Sequence, residues 1–145
     1  QNNEGNIEES RMLKMGDQFV MTILISISQT NLINLKSNIN KNNTLQIQIH
    51  PTQKVESEKN LNSKKFKLSG ADNEGIVHSI TKKFAVNNIN IIELETFMNS
   101  APMSGTPLFN LNATIELPQN ISDNQLNNIL DQHSSKLGVN IELLN

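Results

Sequence analysis

The chain contains no cysteine, tryptophan or tyrosine and only one arginine, Arg11, among its 145 residues. Without cysteine it can form no disulfide, thiolate zinc site, iron–sulfur cluster or cysteine nucleophile. Aromatic residues make up 3% of the sequence, too few to build the stacking platforms that bind single-stranded nucleic acid. The net charge of −2 argues against a surface built to neutralise phosphates. These absences favour a protein that binds and signals over one that catalyses or contacts nucleic acid.

Long hydrophobic runs are also missing. No apolar stretch approaches the roughly 18 residues that a membrane-spanning helix needs, and the first residues, QNNEGNIEES, contain neither the charged nor the apolar region of a signal peptide. We therefore expect a cytoplasmic protein that does not contact membranes. Asparagine is abundant, but periodic apolar residues continue through the asparagine-rich stretches, which favours a folded chain over a low-complexity one.

The second half of the chain alternates between strand and helix periodicities. Strand patterns end at Gly70, run over residues 90–97 and 109–117, and close the chain at 139–144, while helical patterns run over 75–86 and from the capping box at 122–125 to a C-cap at Gly138. The order is βαββαβ. It predicts an α+β, ferredoxin-like fold.

The first half resembles a shortened copy of the second. It predicts strands at 6–14 and 19–27 joined by a turn, a helix over 32–39 with Thr30 as N-cap, and a strand over 45–49. The tetrapeptide NIEE at 6–9 resembles NIIE at 90–93. We expect a first repeat at 1–51 that lacks its N-terminal strand and most of its first helix, a linker at 52–63, and a complete second repeat at 64–145.

The loop GADNEGIV, residues 70–77, is the stretch that most favours a binding site. It joins a strand to a helix, so the unpaired N–H groups of the first helical turn face it. It is not a phosphate-binding Walker loop, because Ile76 and Val77 follow Gly75 where Lys and Ser or Thr would be needed. Two interpretations remain open: a small-ligand site, or a tight turn in which Asp72 or Asn73 caps the helix.

Other side chains offer little chemistry. His50, His78 and His133 do not have the close spacing of a metal-ligand pair. Glu93 and Glu95 share one strand face without pocket-forming aromatics, so a solvated or interface face is the better interpretation. The sequence therefore predicts no catalytic residue, no metal site and no cofactor.

A family resemblance rests on three stretches. The loop at 70–77, followed by Asn90 and Ile91, resembles the ACT domain. The stretch GNIEESRM at 5–12, followed by MGDQF at 15–19, resembles the first ACT repeat of the glycine cleavage system transcriptional repressor family, and PMSGTPLF at 102–109 resembles a loop of its second repeat. Together the resemblance covers nearly the whole chain, the linker being the weakest part.

This resemblance implies a tandem arrangement of ACT domains, which are regulatory modules that often bind amino acids. ACT domains generally contact their effectors through the strand-to-helix loop and the following strand, often across a domain interface. That implies five effector-site candidates here: Asp72, Asn73, Gly75, Ile76 and Asn90. The family usually has a basic residue and proline before the second loop glycine, where this chain has Asn73 and Glu74.

From the resemblance we expect a non-catalytic homodimer that senses an amino acid such as glycine. Since the sequence contains no helix-turn-helix pattern, repression would act through a DNA-binding transcription activator rather than by contact with DNA. One alternative is the ACT portion of an amino-acid or folate enzyme such as formyltetrahydrofolate deformylase. Another is a purely structural dimerisation module.

Overall fold

The computed structural model describes residues 5–41, 44–53, 62–71 and 75–144. The chain divides into two compact units, residues 1–54 and 55–145. Unit 1 contains strand β1 (Asn6–Met15), strand β2 (Gln18–Ser26) and helix α1 (Gln29–Asn40). β1 and β2 form an antiparallel hairpin, and Gly16 supports its tight turn with a φ of 61°, a conformation that glycine adopts without steric cost.

Two local predictions for unit 1 are wrong. The N-cap of α1 is Ser28, whose hydroxyl accepts the N–H of Asn31 at 3.2 Å, and not Thr30, which lies inside the helix. The expected strand at 45–49 is not formed, since residues 44–53 belong to no strand. An alternating pattern makes a strand only when a neighbouring strand supplies hydrogen bonds, and in the described part of unit 1 the hairpin pairs only with itself.

Unit 2 has the predicted βαββαβ order. Its elements are β3 (Asn62–Ala71), α2 (Ile76–Val86), β4 (Asn90–Ser100), β5 (Pro107–Leu117), α3 (Asp123–Leu137) and β6 (Asn140–Leu144). The strands form one antiparallel sheet in the order β4-β5-β3-β6. The ferredoxin-like fold predicted for this half of the chain is therefore confirmed.

The core of unit 2 lies between the two helices and one face of the sheet. Alternate positions of β3 and β5 are buried, as the period-2 pattern requires. The rings of Phe66 and Phe84 meet edge to face with centroids 5.5 Å apart. The buried apolar residues are Phe66, Leu68, Ile76, Ile80, Phe84, Ile89, Leu111, Ala113, Ile115, Leu117, Leu126, Leu130 and Val139. Each of these side chains except that of Ala113 contributes roughly 1.5–3 kcal/mol by its burial.

Helix α3 is fixed at both ends by local signals that the sequence predicts correctly. The Ser122 hydroxyl accepts the N–H of Gln125, and the Gln125 side chain accepts the N–H of Ser122 at 2.8 Å, which completes a capping box. Gly138 ends the helix in the left-handed conformation with a φ of 65°. The C-cap at Gly138 sets the turn that leads into β6, whose first residue, Asn140, pairs with Ser69 next to the candidate loop.

Candidate functional site

The candidate loop connects the end of β3 at Ala71 to the start of α2 at Ile76. Of the five predicted effector residues, Gly75, Ile76 and Asn90 are described, whereas Asp72 and Asn73 lie outside the described residues. The geometry at the two ends of the loop therefore defines what the structure contributes to the site.

Two glycines frame the loop for different reasons. Gly75 is the N-cap of α2 and has a φ of 86°, while a Cβ placed there would meet nothing within 4 Å. Its requirement is conformational, because this left-handed region strains residues that carry a Cβ. Gly70 has the opposite requirement, since a Cβ there would lie 2.6 Å from Cγ1 of Val139. Gly70 thus allows β3 to pass close to the start of β6.

The first turn of α2 offers backbone N–H donors, and no acidic side chain lies in that turn. Glycine at the N-cap supplies no side-chain acceptor, and the first turn contains no acidic residue. Ile76 is 2% exposed, so its side chain belongs to the core and it can offer a ligand only its backbone. The unpaired N–H groups and positive dipole end of a helix favour a carboxylate or another anion.

Asn90 does not join this loop within its own unit. It pairs with Glu116 across β4 and β5, and its Nδ2 donates to Oε2 of Glu116 at 3.3 Å. The loop end of β3 pairs instead with Leu108, near the other end of β5. At about 3.4 Å per residue, Leu108 and Glu116 lie roughly 27 Å apart along the strand. The structure thus separates Asn90 from Gly75 and Ile76.

A histidine contact that sequence reasoning missed holds the first turns of α2. His133 on α3 is buried, with its Nε2 3.2 Å from the Ser79 hydroxyl and 3.1 Å from the Ser79 carbonyl oxygen. Ser79 in turn donates its N–H to the carbonyl of Gly75 at 2.8 Å. His133 therefore holds the first turns of α2, beside the candidate loop. Because 54 residues separate it from Ser79, no local motif could pair them.

One concavity of the described residues lies away from the loop. An open cleft of about 410 Å³ lies beside the C-terminus of α2 and the N-terminus of α3, lined by Val86, Asn87, Asn88, Asn120, Ile121, Gln125, Asn128 and Ile129. None of the described effector candidates, Gly75, Ile76 and Asn90, lines it. The loop offers backbone N–H donors that suit a carboxylate, whereas the cleft is lined by neutral amides and aliphatic groups.

The Lys64 ammonium lies at the opposite end of β3 from the loop and binds a carboxylate of this chain. Its Nζ donates to Asp123 at 2.7 Å, and Asn62 donates to the same carboxyl at 3.2 Å. The hydrogen bond from Lys64 holds the pKa of Asp123 below its usual value, an effect that the loss of hydration partly opposes and the Asn62 bond reinforces.

Among the described residues, no group of three or more His, Asp or Glu side chains could hold a metal ion. In the same part of the chain, no helix combines the length and apolar character needed to cross a membrane.

No protein-family model and no curated protein matches the chain. Among solved structures it is similar to an unknown protein from Galdieria sulphuraria, with 28% identity and a TM-score of 0.74, over 98% of this chain and 82% of that one. It is also similar to a provisionally assigned glycine cleavage system transcriptional repressor, with 19% identity and a TM-score of 0.74, over 99% of this chain and 82% of that one.

A formyltetrahydrofolate deformylase from Pseudomonas putida KT2440 is similar over 58% of this chain and 29% of the deformylase chain, with 17% identity and a TM-score of 0.48. That likeness is too distant to support an argument. The fold of unit 2 is ferredoxin-like, as the expected resemblance to ACT domains requires. Over 99% of its length the chain is similar in structure to the provisionally assigned glycine cleavage repressor, which confirms the expected resemblance at the level of the fold.

Proposed function

We propose that this chain is a non-catalytic regulatory protein that responds to a small amino acid, with glycine as the first candidate. The observation that carries the proposal is the structural likeness to the provisionally assigned glycine cleavage repressor across 99% of this chain. The absence of cysteine, tryptophan and tyrosine supports a binding role over a catalytic one.

The effector would bind at the loop before α2. Its carboxylate would accept the backbone N–H groups at Gly75 and Ile76, where the dipole of α2 favours negative charge. Its ammonium would lie toward the side chains of Asp72 and Asn73. In its own unit Asn90 lies far from this loop, so it would contribute only from a second ACT unit placed against the first, as in a homodimer.

Binding would regulate by changing which packing of the ACT units is populated, since an effector shifts an equilibrium by its difference in affinity for the two states. The altered surface would be recognised by a DNA-binding transcription activator in the cytoplasm, and repression of glycine cleavage genes would follow without direct contact with DNA. The sequence supports this indirect route because it contains no helix-turn-helix pattern.

Isothermal titration calorimetry of the full chain against a panel of amino acids tests the proposal. We expect heat with at least one small amino acid. Affinity should be at least about tenfold weaker in Gly75→Ala, which is ~1.4 kcal/mol, because a Cβ at a φ of 86° strains the backbone and would shift the N–H groups that bind the carboxylate. Gly105→Ala is the matched control, since Gly105 also has a positive φ, of 68°, and open space around it. Absence of heat with every amino acid would rule out sensing by this chain.

Glu74 offers a second variant that strengthens binding instead of removing it. It immediately precedes Gly75, so its negative charge would oppose a bound carboxylate. Glu74→Gln should tighten binding of the amino acid found by calorimetry, and the gain should shrink as salt is added. An unchanged or weaker affinity would place the carboxylate away from the start of α2.

A further inference from the structure

The open cleft beside the C-terminus of α2 and the N-terminus of α3, the amide-lined cleft, has no role in the proposed amino-acid response. Its volume of about 410 Å³ lies within the range of roughly 300–1,000 Å³ that is usual for small-molecule sites. Its described lining consists of five asparagine or glutamine residues and three aliphatic residues, and none of them is ionisable. Hydrogen bonds and apolar contacts, and not charge, would therefore select a ligand here.

The two helix ends that border the cleft add no net charge. α2 ends at Val86 with the negative end of its dipole, and α3 begins at Asp123 with the positive end. Each end also carries a side-chain charge that compensates its dipole, Lys83 in the last turn of α2 and Asp123 in the first turn of α3. This environment favours an uncharged ligand that has both donors and acceptors.

Asn88 keeps a side chain at a backbone position where glycine is usual. It follows α2 in the left-handed conformation with a φ of 55°, whereas Gly138 takes the equivalent place after α3 with a φ of 65°. Glycine is common there because it has no Cβ to strain the backbone, and asparagine is among the few other residues that tolerate the conformation. Asn88 therefore adds a carboxamide to the cleft without changing the path of the chain.

Three carboxamides of the cleft are available to a ligand. The side chains of Asn87 and Gln125 are already hydrogen-bonded to the ends of α2 and α3. Among the hydrogen bonds of the described residues, none involves the side chain of Asn88, Asn120 or Asn128. A carboxamide carries an acceptor and a donor side by side, so each of these groups can match a ligand edge that does the same.

The aliphatic part of the lining suits the faces of a flat ring. Ile121 and Ile129 are half-buried and pack against the core of unit 2, while Val86 is exposed at the cleft. A nucleobase has the two properties that such a lining matches. Its ring faces can lie on aliphatic groups, and its edge carries donors beside acceptors, as when asparagine binds N6 and N7 of adenine.

We propose that the amide-lined cleft binds an uncharged purine base, free or as its nucleoside. The ring would lie against Ile121 and Ile129, and the carboxamides of Asn88, Asn120 and Asn128 would hydrogen-bond to its edge. This site lies outside the candidate effector loop, and the proposal does not depend on the amino-acid response.

The test is a nitrogen–proton NMR titration of the full chain with adenosine, followed at the side-chain amide signals of the asparagine residues. We expect the Nδ2 signals of Asn88, Asn120 and Asn128 to shift along one saturation curve, while the backbone signals of Gly75 and Ile76 stay unchanged. Ribose is the matched control ligand, because it keeps the sugar hydroxyls and lacks the base, and it should leave the cleft signals unchanged.

Two variants remove one carboxamide each. Asn88→Gly should keep the fold, because glycine adopts a φ of 55° without strain. Its affinity for adenosine should fall about three- to tenfold, the effect of losing one neutral hydrogen bond. Asn128→Ala should give a similar loss. Asn127→Ala is the matched control, since Asn127 is the neighbouring exposed residue of α3 but lines a different concavity, beside Lys64, and it should bind as the wild type does.

Three results would overturn the proposal. The first is the absence of shifts at the cleft signals up to the solubility limit of adenosine. The second is an equal response to ribose, because the base would then contribute nothing. The third is an affinity that neither Asn88→Gly nor Asn128→Ala weakens, or that Asn127→Ala weakens as much, because the carboxamides of the cleft would then not be the binding groups.

Discussion

Gly70→Ala should destabilise unit 2 through a single close contact. An added Cβ would lie 2.6 Å from Cγ1, 3.2 Å from Cβ and 3.4 Å from Cα of Val139, whereas carbon atoms pack best at about 3.5–4.0 Å. Val139 is 7% exposed and donates its N–H to the carbonyl of Ser134, so it cannot easily move away. Either β3 or the start of β6 must shift.

The expected magnitude combines two opposing terms. Overpacking of this kind costs about 1–3 kcal/mol. Replacing glycine by alanine within a strand returns about 0.5–1 kcal/mol, since glycine loses more conformational freedom on folding. We expect a net loss of about 1–2 kcal/mol in the free energy of unfolding.

A double-mutant cycle isolates the contact. Val139→Ala alone should cost about 1.6 kcal/mol for the two carbons removed. In the double variant the 2.6 Å contact with Cγ1 is gone and only the looser contacts with Cβ and Cα of residue 139 remain. The combined loss should therefore be smaller than the sum of the single losses by about 1–3 kcal/mol. Urea unfolding followed by circular dichroism is the suitable assay, because the chain has no tryptophan or tyrosine for fluorescence.

The reasoning fails if the two substitutions add within about 0.5 kcal/mol, the range seen for independent sites. It also fails if Gly70→Ala leaves the unfolding midpoint unchanged. The transition reports on unit 2 because all buried apolar residues in the described part of the chain belong to it.

Three further predictions concern unit 2. Phe84→Ala should cost about 3–5 kcal/mol in urea unfolding, because the ring is fully buried against Phe66, while Val86→Ala on the same helix, at an exposed position, should cost far less; equal effects would contradict the core described here. Ser122→Ala should cost about 1 kcal/mol by removing the capping box, and a loss below a few tenths would contradict the cap. Asp123→Asn should lower the stability of the protein at neutral pH and make that stability fall less steeply in acid. Because the pKa of Asp123 is lowered in the folded state, its carboxylate stabilises the fold above the ordinary pKa of 3.8, and this contribution is lost as the pH falls through the pKa of the folded state. Parallel stability curves for wild type and variant below pH 4 would contradict that assignment.

The sequence predicts those parts of unit 2 whose signals are local. The alternation that ends at Leu117, the capping box at Ser122 and the C-cap at Gly138 are each readable within a few residues. Each also agrees with the fold around it, because β5 and α3 pack against the same core. Local preference and tertiary context point the same way there.

Features that depend on a partner distant in sequence could not be predicted from local patterns. The strand expected at 45–49 needs a paired neighbour that its own alternation cannot supply. The contact between His133 and Ser79 forms only after two helices pack. Asn90 follows the loop closely in sequence, but α2 runs back along the sheet and leaves Asn90 near the far end of β5.

The most direct test of the central proposal is a nitrogen–proton NMR titration of the full chain with the amino acid found by calorimetry. If the loop before α2 binds the carboxylate, the amide signals of Gly75 and Ile76 should shift most, with saturation matching the calorimetric affinity. If instead the shifts cluster at Asn120, Gln125 and Asn128 around the amide-lined cleft, the effector site assigned to the loop is wrong.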